Sequence, residues 1–162
     1  MAESVEREGG GPSFVPFRAW RYAPDLPLAQ VLAPPYDVLS DVDVAALRAS
    51  SPHNIVHVDV PAPGADGTDR YAVAARTLAG WQERGVLVRD PVASLTIYRM
   101  SFHDGAGRAR SLVGVLGGLE VVDPGVGRVL PHERTTPKAS TDRLDLTRAT
   151  RANLSPVWGL AL

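Results

Sequence analysis

The sequence predicts an α+β fold, a mixed α/β chain with a mostly antiparallel or mixed sheet and two to four helices. Two observations lead to this class. The segment after Thr68 carries apolar residues at helical spacing, namely Tyr71, Ala75, Leu78 and Trp81. Residues 94–102 and 109–122 are rich in β-branched and aromatic residues, and they flank the turn sequence Asp104-Gly105. Helical and hairpin signals in separate parts of one chain are typical of the α+β class.

Length and composition are those of a globular protein. The 162 residues are 44% hydrophobic, which is enough for one domain with a hydrophobic core. Residues 1–12 are acidic and rich in glycine, without an apolar stretch, so they predict a disordered tail and not a signal peptide. Residues 13–162 are expected to form a single α/β domain.

Composition also restricts location and partners. Because cysteine is absent, disulfides, thiolate metal sites and thiol nucleophiles are excluded. No stretch reaches the roughly 20 apolar residues of a membrane span, and we expect a cytoplasmic protein without membrane contact. The formal net charge of -1, from 17 basic and 18 acidic residues, argues against nucleic acid as a partner. The oligomeric state is left open.

The first half of the chain predicts short elements. Residues 14–22 are expected to be extended, and the prolines in residues 23–35 argue against a helix there. Ser40 and Asp43 resemble a capping box, so a short helix is expected over residues 42–49. Residues 54–60 (NIVHVDV) alternate between apolar and polar side chains and predict a half-buried strand.

The second half predicts longer elements. Thr68 is expected to cap a helix that ends near Arg84, with Gly85 as its C-terminal cap. The hairpin follows, and Gly117-Gly118 within its second strand predict a bulge or bend. A helix is then expected from Thr141 to about Arg151, and residues 156–162 (PVWGLAL) predict a strand. Since the sequence stops within this apolar segment, we expect it to be part of a longer polypeptide.

The segment PHERT, residues 131–135, suits a phosphate group. Its cationic and hydroxyl side chains precede a predicted helix, and the N–H groups and macrodipole at a helix N-terminus favour an anion. The candidate phosphate ligands are His132, Arg134, Thr135, Lys138 and, within the helix, Arg143.

A surface role for this segment is the alternative. In that interpretation Arg134 and Lys138 are solvated, and Glu133 pairs with a neighbouring base. The glycine-lysine pattern of a Walker A loop is absent.

The segment APPYDVL, residues 33–39, could place a general base. Two prolines stiffen the backbone directly before Tyr36 and Asp37, and the Pro34-Pro35 bond is a candidate for a cis peptide. In the alternative interpretation, Asp37 caps the turn or the next helix and Tyr36 belongs to the core.

Other catalytic patterns receive less support. His53, His57 and Asp59 would share one strand face, but alternating polar residues more often mark the solvated face of a strand, and no metal site is predicted. The sequence has neither a His-Glu-x-x-His motif nor a Gly-x-Ser-x-Gly nucleophile elbow.

Five blocks, in order FRAWRY, APPYDVL, SPHNIV, PHERT and DRLDLTRATRANLSPV, resemble the conserved blocks of the prokaryotic domain-of-unknown-function family numbered 1015. The resemblance runs from about Phe14 to the last residue. Members are longer, which implies that this chain is the N-terminal part of one. Where His53 and His57 stand, the family more often has an aromatic and a basic residue, which further lowers the case for a metal site.

The family in turn resembles the ParB/sulfiredoxin-like fold, which includes nucleotide-binding partition proteins and free-serine kinases. This resemblance implies that His132, Glu133, Arg134 and Thr135 lie where such proteins hold nucleotide phosphates. It also implies an acidic base near the N-terminus, for which Asp37 is the candidate and Glu133 the competitor.

The leading hypothesis is therefore a nucleotide-dependent phosphotransferase that acts on a small hydroxyl compound such as serine, with ATP or ADP and Mg²⁺ as cofactors. The alternatives are a nucleotide-binding switch or partner-binding module without turnover, and an inactive fragment.

Overall fold

A computed structural model describes residues 12–123, 129–130 and 137–159, with the backbone but not the side chains of residues 137–140. The elements in chain order are β1 (Phe14–Val15), β2 (Trp20–Tyr22), α1 (Leu28–Val31), a 3-10 helix (Tyr36–Val38), α2 (Asp41–Ser50), α3 (Val56–Asp59), α4 (Arg70–Glu83), β3 (Leu87–Arg89), β4 (Thr96–His103), β5 (Ala109–Leu116), β6 (Gly118–Leu119) and α5 (Pro137–Thr150).

All strand pairs are antiparallel: β1 with β6, β2 with β3, and β4 with β5. The predicted α+β class is thus confirmed. Of the α-helices in the described residues, α1 and α3 are single turns of four residues. No helix in this part of the chain is long and apolar enough to cross a membrane.

The contacts of the chain divide it into two compact units. The helical unit consists of Trp20–Arg89 and Thr135–Leu162, and the hairpin unit consists of Met1–Ala19 and Asp90–Arg134. The predicted single domain over residues 13–162 stays a prediction, and residues 1–11 of the predicted tail lie outside the described residues.

The hydrophobic core of the helical unit brings α4 together with α3, β3 and α5. Its buried residues are Val58, Ala74, Leu78, Trp81, Leu87 and Leu146. The rings of Tyr22 and His53 each lie with their centroids 6.1 Å from that of Trp81. The Tyr22 hydroxyl donates a 2.8 Å hydrogen bond to the backbone carbonyl of His53, and burial raises the pKa of Tyr22.

Two helices match their predictions closely. In α2, Ser40 and Asp43 form the predicted capping box, in which each side chain accepts from the other residue's backbone N–H. Of the predicted apolar stripe of α4, Leu78 and Trp81 are buried, Tyr71 and Ala75 are half-buried, and Ala74 is buried beside them. Gly85 has the left-handed φ of 73° that a C-terminal cap requires. The predicted Thr68 cap is wrong, because Asp69 accepts the free N–H groups of the first turn.

The predicted strand over residues 54–60 is wrong, because this segment forms the helical turn α3. The buried Asn54 amide starts the turn, since its Oδ1 accepts from the N–H of Val56 at 3.0 Å. Its Nδ2 donates to the carbonyls of Gln30 and Leu32, both at 2.9 Å. Val56 and Val58 are both fully buried because the single turn is enclosed on more than one side.

Four further expectations need correction. The proline-rich segment contains α1, which fits between Pro27 and Pro34 because both prolines lie outside its hydrogen-bonded turn. No described peptide bond is cis, so the Pro34-Pro35 bond is trans. The predicted helix from Thr141 begins earlier, at Pro137, and residues 156–159 of the predicted last strand are not a strand; residues 160–162 lie outside the described residues.

The hairpin unit is built on β4 and β5, which pair from Thr96↔Leu116 to His103↔Ala109. The Asp104 carboxylate stabilises the predicted turn by accepting from the N–H groups of Ala106 and Arg108, both at 3.0 Å. Gly117 interrupts the strand after Leu116, as the paired glycines predict.

Candidate functional site

An ion-pair cluster in the helical unit lies where four elements meet, and we call it the Arg143 cluster. Its members are Tyr36 from the 3-10 helix, Asp59 from α3, Arg70 and Tyr71 from α4, and Asp142 and Arg143 from α5. Tyr36, Asp59, Arg70 and Tyr71 stand at or near the ends of their elements, whereas Asp142 and Arg143 are neighbours within α5. The cluster therefore forms only when these elements pack together.

Arg143 is the centre of the cluster. Its Nη1 donates to Asp59 Oδ1 at 2.9 Å and its Nη2 donates to the Asp59 carbonyl at 3.0 Å. Its Nε and Nη2 donate to Asp142 Oδ2 at 3.0 and 2.7 Å. The guanidinium carbon also lies 3.9 Å from the ring centroid of Tyr36, a cation–π contact.

Asp142 extends the cluster toward α4. Its Oδ1 accepts from the Tyr71 hydroxyl at 2.9 Å and from Arg70 Nη2 at 2.7 Å. Arg70 in turn lies over the Tyr71 ring, 4.7 Å from its centroid. Asp142 thus joins both arginines of the cluster and ties the start of α4 to α5.

The two carboxylates have pKa values shifted in opposite directions. Burial raises the pKa of Asp59, and the charge and hydrogen bond of Arg143 offset this shift in part. Burial would also raise the pKa of Asp142, but hydrogen bonds from Arg143 and Tyr71 and the charges of both arginines outweigh it, so this pKa is lowered. Asp59 is the more enclosed carboxylate, with 13% of its side chain exposed against 26% for Asp142.

Asp37, the predicted base, lies beside Tyr36 on the 3-10 helix and is exposed. It caps neither its own helix, which starts after Pro35 without a side-chain cap, nor α2, which Ser40 caps. Among the described residues none hydrogen-bonds to its carboxylate. The structure therefore brings the segment of Asp37 next to Arg143 through Tyr36, while the Asp37 side chain faces solvent.

The structure describes only some of the candidate phosphate ligands. His132, Glu133, Arg134 and Thr135 lie outside the described residues, as does the side chain of Lys138. The backbone of Lys138 is in the first turn of α5, and Arg143 lies further along the same helix. A direct contact between Arg143 and a phosphate would require some of its four hydrogen bonds to Asp59 and Asp142 to be exchanged.

The sequence does not predict that Asp59, Asp142, Arg70 and Tyr71 form one cluster. The alternating pattern of residues 54–60 puts Asp59 on a strand face with His53 and His57, whereas in the structure Asp59 faces Arg143. The one local signal was the adjacent pair Asp142-Arg143 near the start of a helix. No spacing rule could join this pair to α3 and α4, because those contacts are long-range.

His57 has partners of its own. Its Nε2 lies 3.1 Å from the Ser51 carbonyl and its Nδ1 lies 3.5 Å from Arg48 Nη1, while Arg48 Nη2 also donates to the Val60 carbonyl. A carbonyl only accepts and a guanidinium only donates, so this geometry suits the tautomer of the ring that carries its proton on Nε2. In the described part of the chain, no group of three or more His, Asp or Glu side chains could hold a metal ion.

Comparison with known proteins identifies a family. The family described as protein of unknown function (DUF1015) matches the chain over residues 14–161. No curated protein and no solved structure matches the chain.

Proposed function

The chain belongs to the DUF1015 family, and from this premise we propose that it is a nucleotide-dependent phosphotransferase that acts on the hydroxyl group of a small molecule. Free serine is the substrate that the resemblance to serine kinases suggests. ATP or ADP with Mg²⁺ would be the cofactor.

One observation supports this proposal more than the others. The Tyr36 ring packs on Arg143, with 3.9 Å between the ring centroid and the guanidinium carbon. This contact joins the segment that carries Asp37 to α5, the helix that follows the PHERT segment in the sequence. An acid and a cationic segment near one helix are the groups that phosphoryl transfer needs.

The side chains would divide the reaction between them. Asp37 would accept the proton of the substrate hydroxyl, whose oxygen attacks the terminal phosphorus while the bond from that phosphorus to the nucleotide breaks. Glu133 is the alternative base. The phosphate oxygens would be held by His132, Arg134, Thr135 and Lys138. When bound, Mg²⁺ would neutralise charge on the phosphate oxygens.

Asp37 fits its proposed role, whereas Arg143 is already engaged. The Asp37 carboxylate is exposed and makes no hydrogen bond with them, so a substrate hydroxyl could reach it. The Arg143 donors, by contrast, already bind carboxylates, so Arg143 would position Tyr36 unless an incoming phosphate displaced Asp59 or Asp142.

The test compares nucleotide binding with nucleotide consumption. Because only the folded state binds nucleotide, we expect the nucleotide that binds to raise the melting temperature in the presence of Mg²⁺. Arg134→Ala should abolish this shift, since it removes a proposed phosphate ligand. We expect Asp37→Asn to keep the shift but to lower phosphate transfer to serine or another small hydroxy compound by at least about 100-fold. Asp41→Asn is the matched control, since Asp41 is an exposed acid on α2.

A second candidate is a nucleotide-binding switch without turnover. The observation that favours it is the engagement of Arg143 by two carboxylates, which leaves this arginine with four hydrogen bonds before any ligand is present. Nucleotide binding that Asp37→Asn leaves unchanged, together with no phosphate transfer to any small hydroxy compound, would support the switch. No thermal shift with any nucleotide would contradict both candidates.

A further inference from the structure

Most of the large apolar side chains on β4 and β5 are exposed. All residues that are buried in the described part of the chain belong to the helical unit. On β4 and β5, Ile97, Val113 and Val115 share one face, because Ile97 pairs with Val115 and Arg99 with Val113. They are 66%, 58% and 51% exposed. A two-stranded hairpin with this much exposed apolar surface is marginal by itself.

The outer edge of β5 offers backbone groups as well. Asp104 N–H donates to the Arg108 carbonyl, so the hydrogen-bonded pairs of the hairpin recur at every second residue from there. The intervening residues Ser111, Val113 and Val115 therefore direct their N–H and C=O groups away from β4. No described residue hydrogen-bonds to this edge.

Charge indicates what could cover the edge. The two strands contain Arg99 and Arg110 and no acidic residue. No described carboxylate pairs with Arg99, and Arg110 shares Asp104 with Arg108. The β4–β5 hairpin of a second copy would bring the same two arginines and no acid in its strands, whereas an acidic segment would complement them.

We propose that β5 is a docking edge for an extended acidic and apolar peptide segment of a partner protein, which adds to the hairpin as a third strand. This mode of recognition combines backbone hydrogen bonds with alternate side chains. The inference does not depend on nucleotide chemistry, so it stands or falls separately from the proposed function.

The register of β5 specifies the peptide. In an antiparallel addition, apolar side chains of the peptide lie opposite Val115 and Val113, and an acidic side chain lies opposite Arg110. Read from its N-terminus, the peptide pattern is apolar, any, apolar, any, any, acidic. The N–H groups of both apolar peptide residues point toward β5, while those of the residues that follow each of them point away.

The test uses a labelled synthetic peptide, acetyl-Thr-Val-Thr-Val-Thr-Ser-Glu-Thr-amide, with the 162-residue chain. Fluorescence anisotropy should show saturable binding. N-methylation of the two valine amides should weaken binding about tenfold, because it removes two hydrogen bonds to β5. N-methylation of the threonines that follow the two valines changes the peptide equally but should alter affinity by less than about twofold.

Protein variants test the proposed ion pair by exchanging the charges of Arg110 and of the peptide glutamate. Arg110→Glu should weaken the glutamate peptide and favour the same peptide with lysine in place of glutamate, reversing the preference of the wild type. Val113→Pro should abolish binding, because it removes an N–H that β4 does not use. Val92→Ser is the control, since Val92 is 68% exposed but lies outside both strands. Circular dichroism would verify folding of each variant.

Three outcomes would overturn the proposal. One is no binding of the unmethylated peptide to the wild type. Another is an equal loss for both methylated peptides, which would mean that backbone pairing at β5 is not involved. The third is sedimentation of the chain as a dimer that Val113→Pro dissociates, which would identify a second copy as the occupant of the edge.

Discussion

Arg143 donates a hydrogen bond of 2.9 Å to the carboxylate of Asp59, and these two side chains are 24% and 13% exposed. Removal of one partner leaves the other charge in an enclosed site, which is more costly than loss of an exposed ion pair. We expect Arg143→Ala to lower the free energy of unfolding by about 3 kcal/mol, measured by urea denaturation at neutral pH. Asp59→Asn in the same chain should recover part of this loss.

Arg148→Ala is the control on the same helix. Arg148 is 69% exposed and lies 3.7 Å from Asp145, so its removal should change the free energy of unfolding by no more than about 0.5 kcal/mol. Equal effects of the two substitutions would contradict a central role for Arg143.

The Asp59 carboxyl should give the folded protein a characteristic pH dependence. Burial raises its pKa above the ordinary value of 3.8, so the folded protein binds more protons at this site than the unfolded chain does. The stability that Asp59 contributes is fully present below pH 3.8 and is lost as the pH rises through its folded pKa.

Urea denaturation from about pH 3 to about pH 6 measures this effect. The free energy of unfolding of the wild type, relative to Asp59→Asn, should fall as the pH rises. A relative stability that increases with pH would show that the attraction to Arg143 outweighs burial.

Replacement of Asn54 should lower the free energy of unfolding more than most other substitutions in the helical unit. It is fully buried, and its amide satisfies the N–H of Val56 and the carbonyls of Gln30 and Leu32. We expect Asn54→Ala to lower the free energy of unfolding by about 3 to 5 kcal/mol, because three backbone groups lose their partner. Asn153→Ala is the matched control, since Asn153 is exposed.

The neutral form of the His57 ring should be found as a single tautomer. Nitrogen NMR should detect the proton on Nε2, which donates to the Ser51 carbonyl, and none on Nδ1, which faces Arg48. Arg48→Met keeps the apolar stem but removes the donor, so the population of the other tautomer should increase. A ring protonated on Nδ1 in the wild type would contradict this geometry.

Gly85 should be costly to replace although there is space around it. Its φ is 73°, and a Cβ at this position would meet no atom within 4 Å. The cost of Gly85→Ala is therefore that of the left-handed backbone alone, about 1 kcal/mol in thermal or chemical denaturation. Gly114→Ala, which also adds its methyl group to open space but without a positive φ, should cost less.

The sequence predicts those elements whose determinants are local. The helix α4 has a stripe of apolar residues and a glycine after its end, and the hairpin has Asp104 and glycines at its turn, so short-range signals were sufficient. The segment NIVHVDV misled, because the alternation of buried residues that predicts a strand also arises when one helical turn is enclosed. Its conformation depends on the Asn54 amide, which donates to the carbonyls of Gln30 and Leu32.

Less of the Arg143 cluster than of the fold could be predicted from the sequence, because its contacts are long-range. Asp37 and Arg143 were recognised from their neighbours in sequence, but the partners of Arg143 come from elements far apart in the chain. Asp59 became a partner only because α3 is a helical turn. The roles of His132, Glu133, Arg134, Thr135 and Lys138 remain predictions.

The position of Leu146 in the core has a consequence for how the chain folds during synthesis. This residue of α5 packs with Leu78 and Trp81 of α4, although the whole segment 90–134 is made between them. At ribosomal rates of about 5–20 residues per second, the apolar face of α4 would lack its α5 partner for several seconds after its own synthesis. Closing so long a loop also slows folding, so the nascent helical unit is expected to depend on chaperones during this interval.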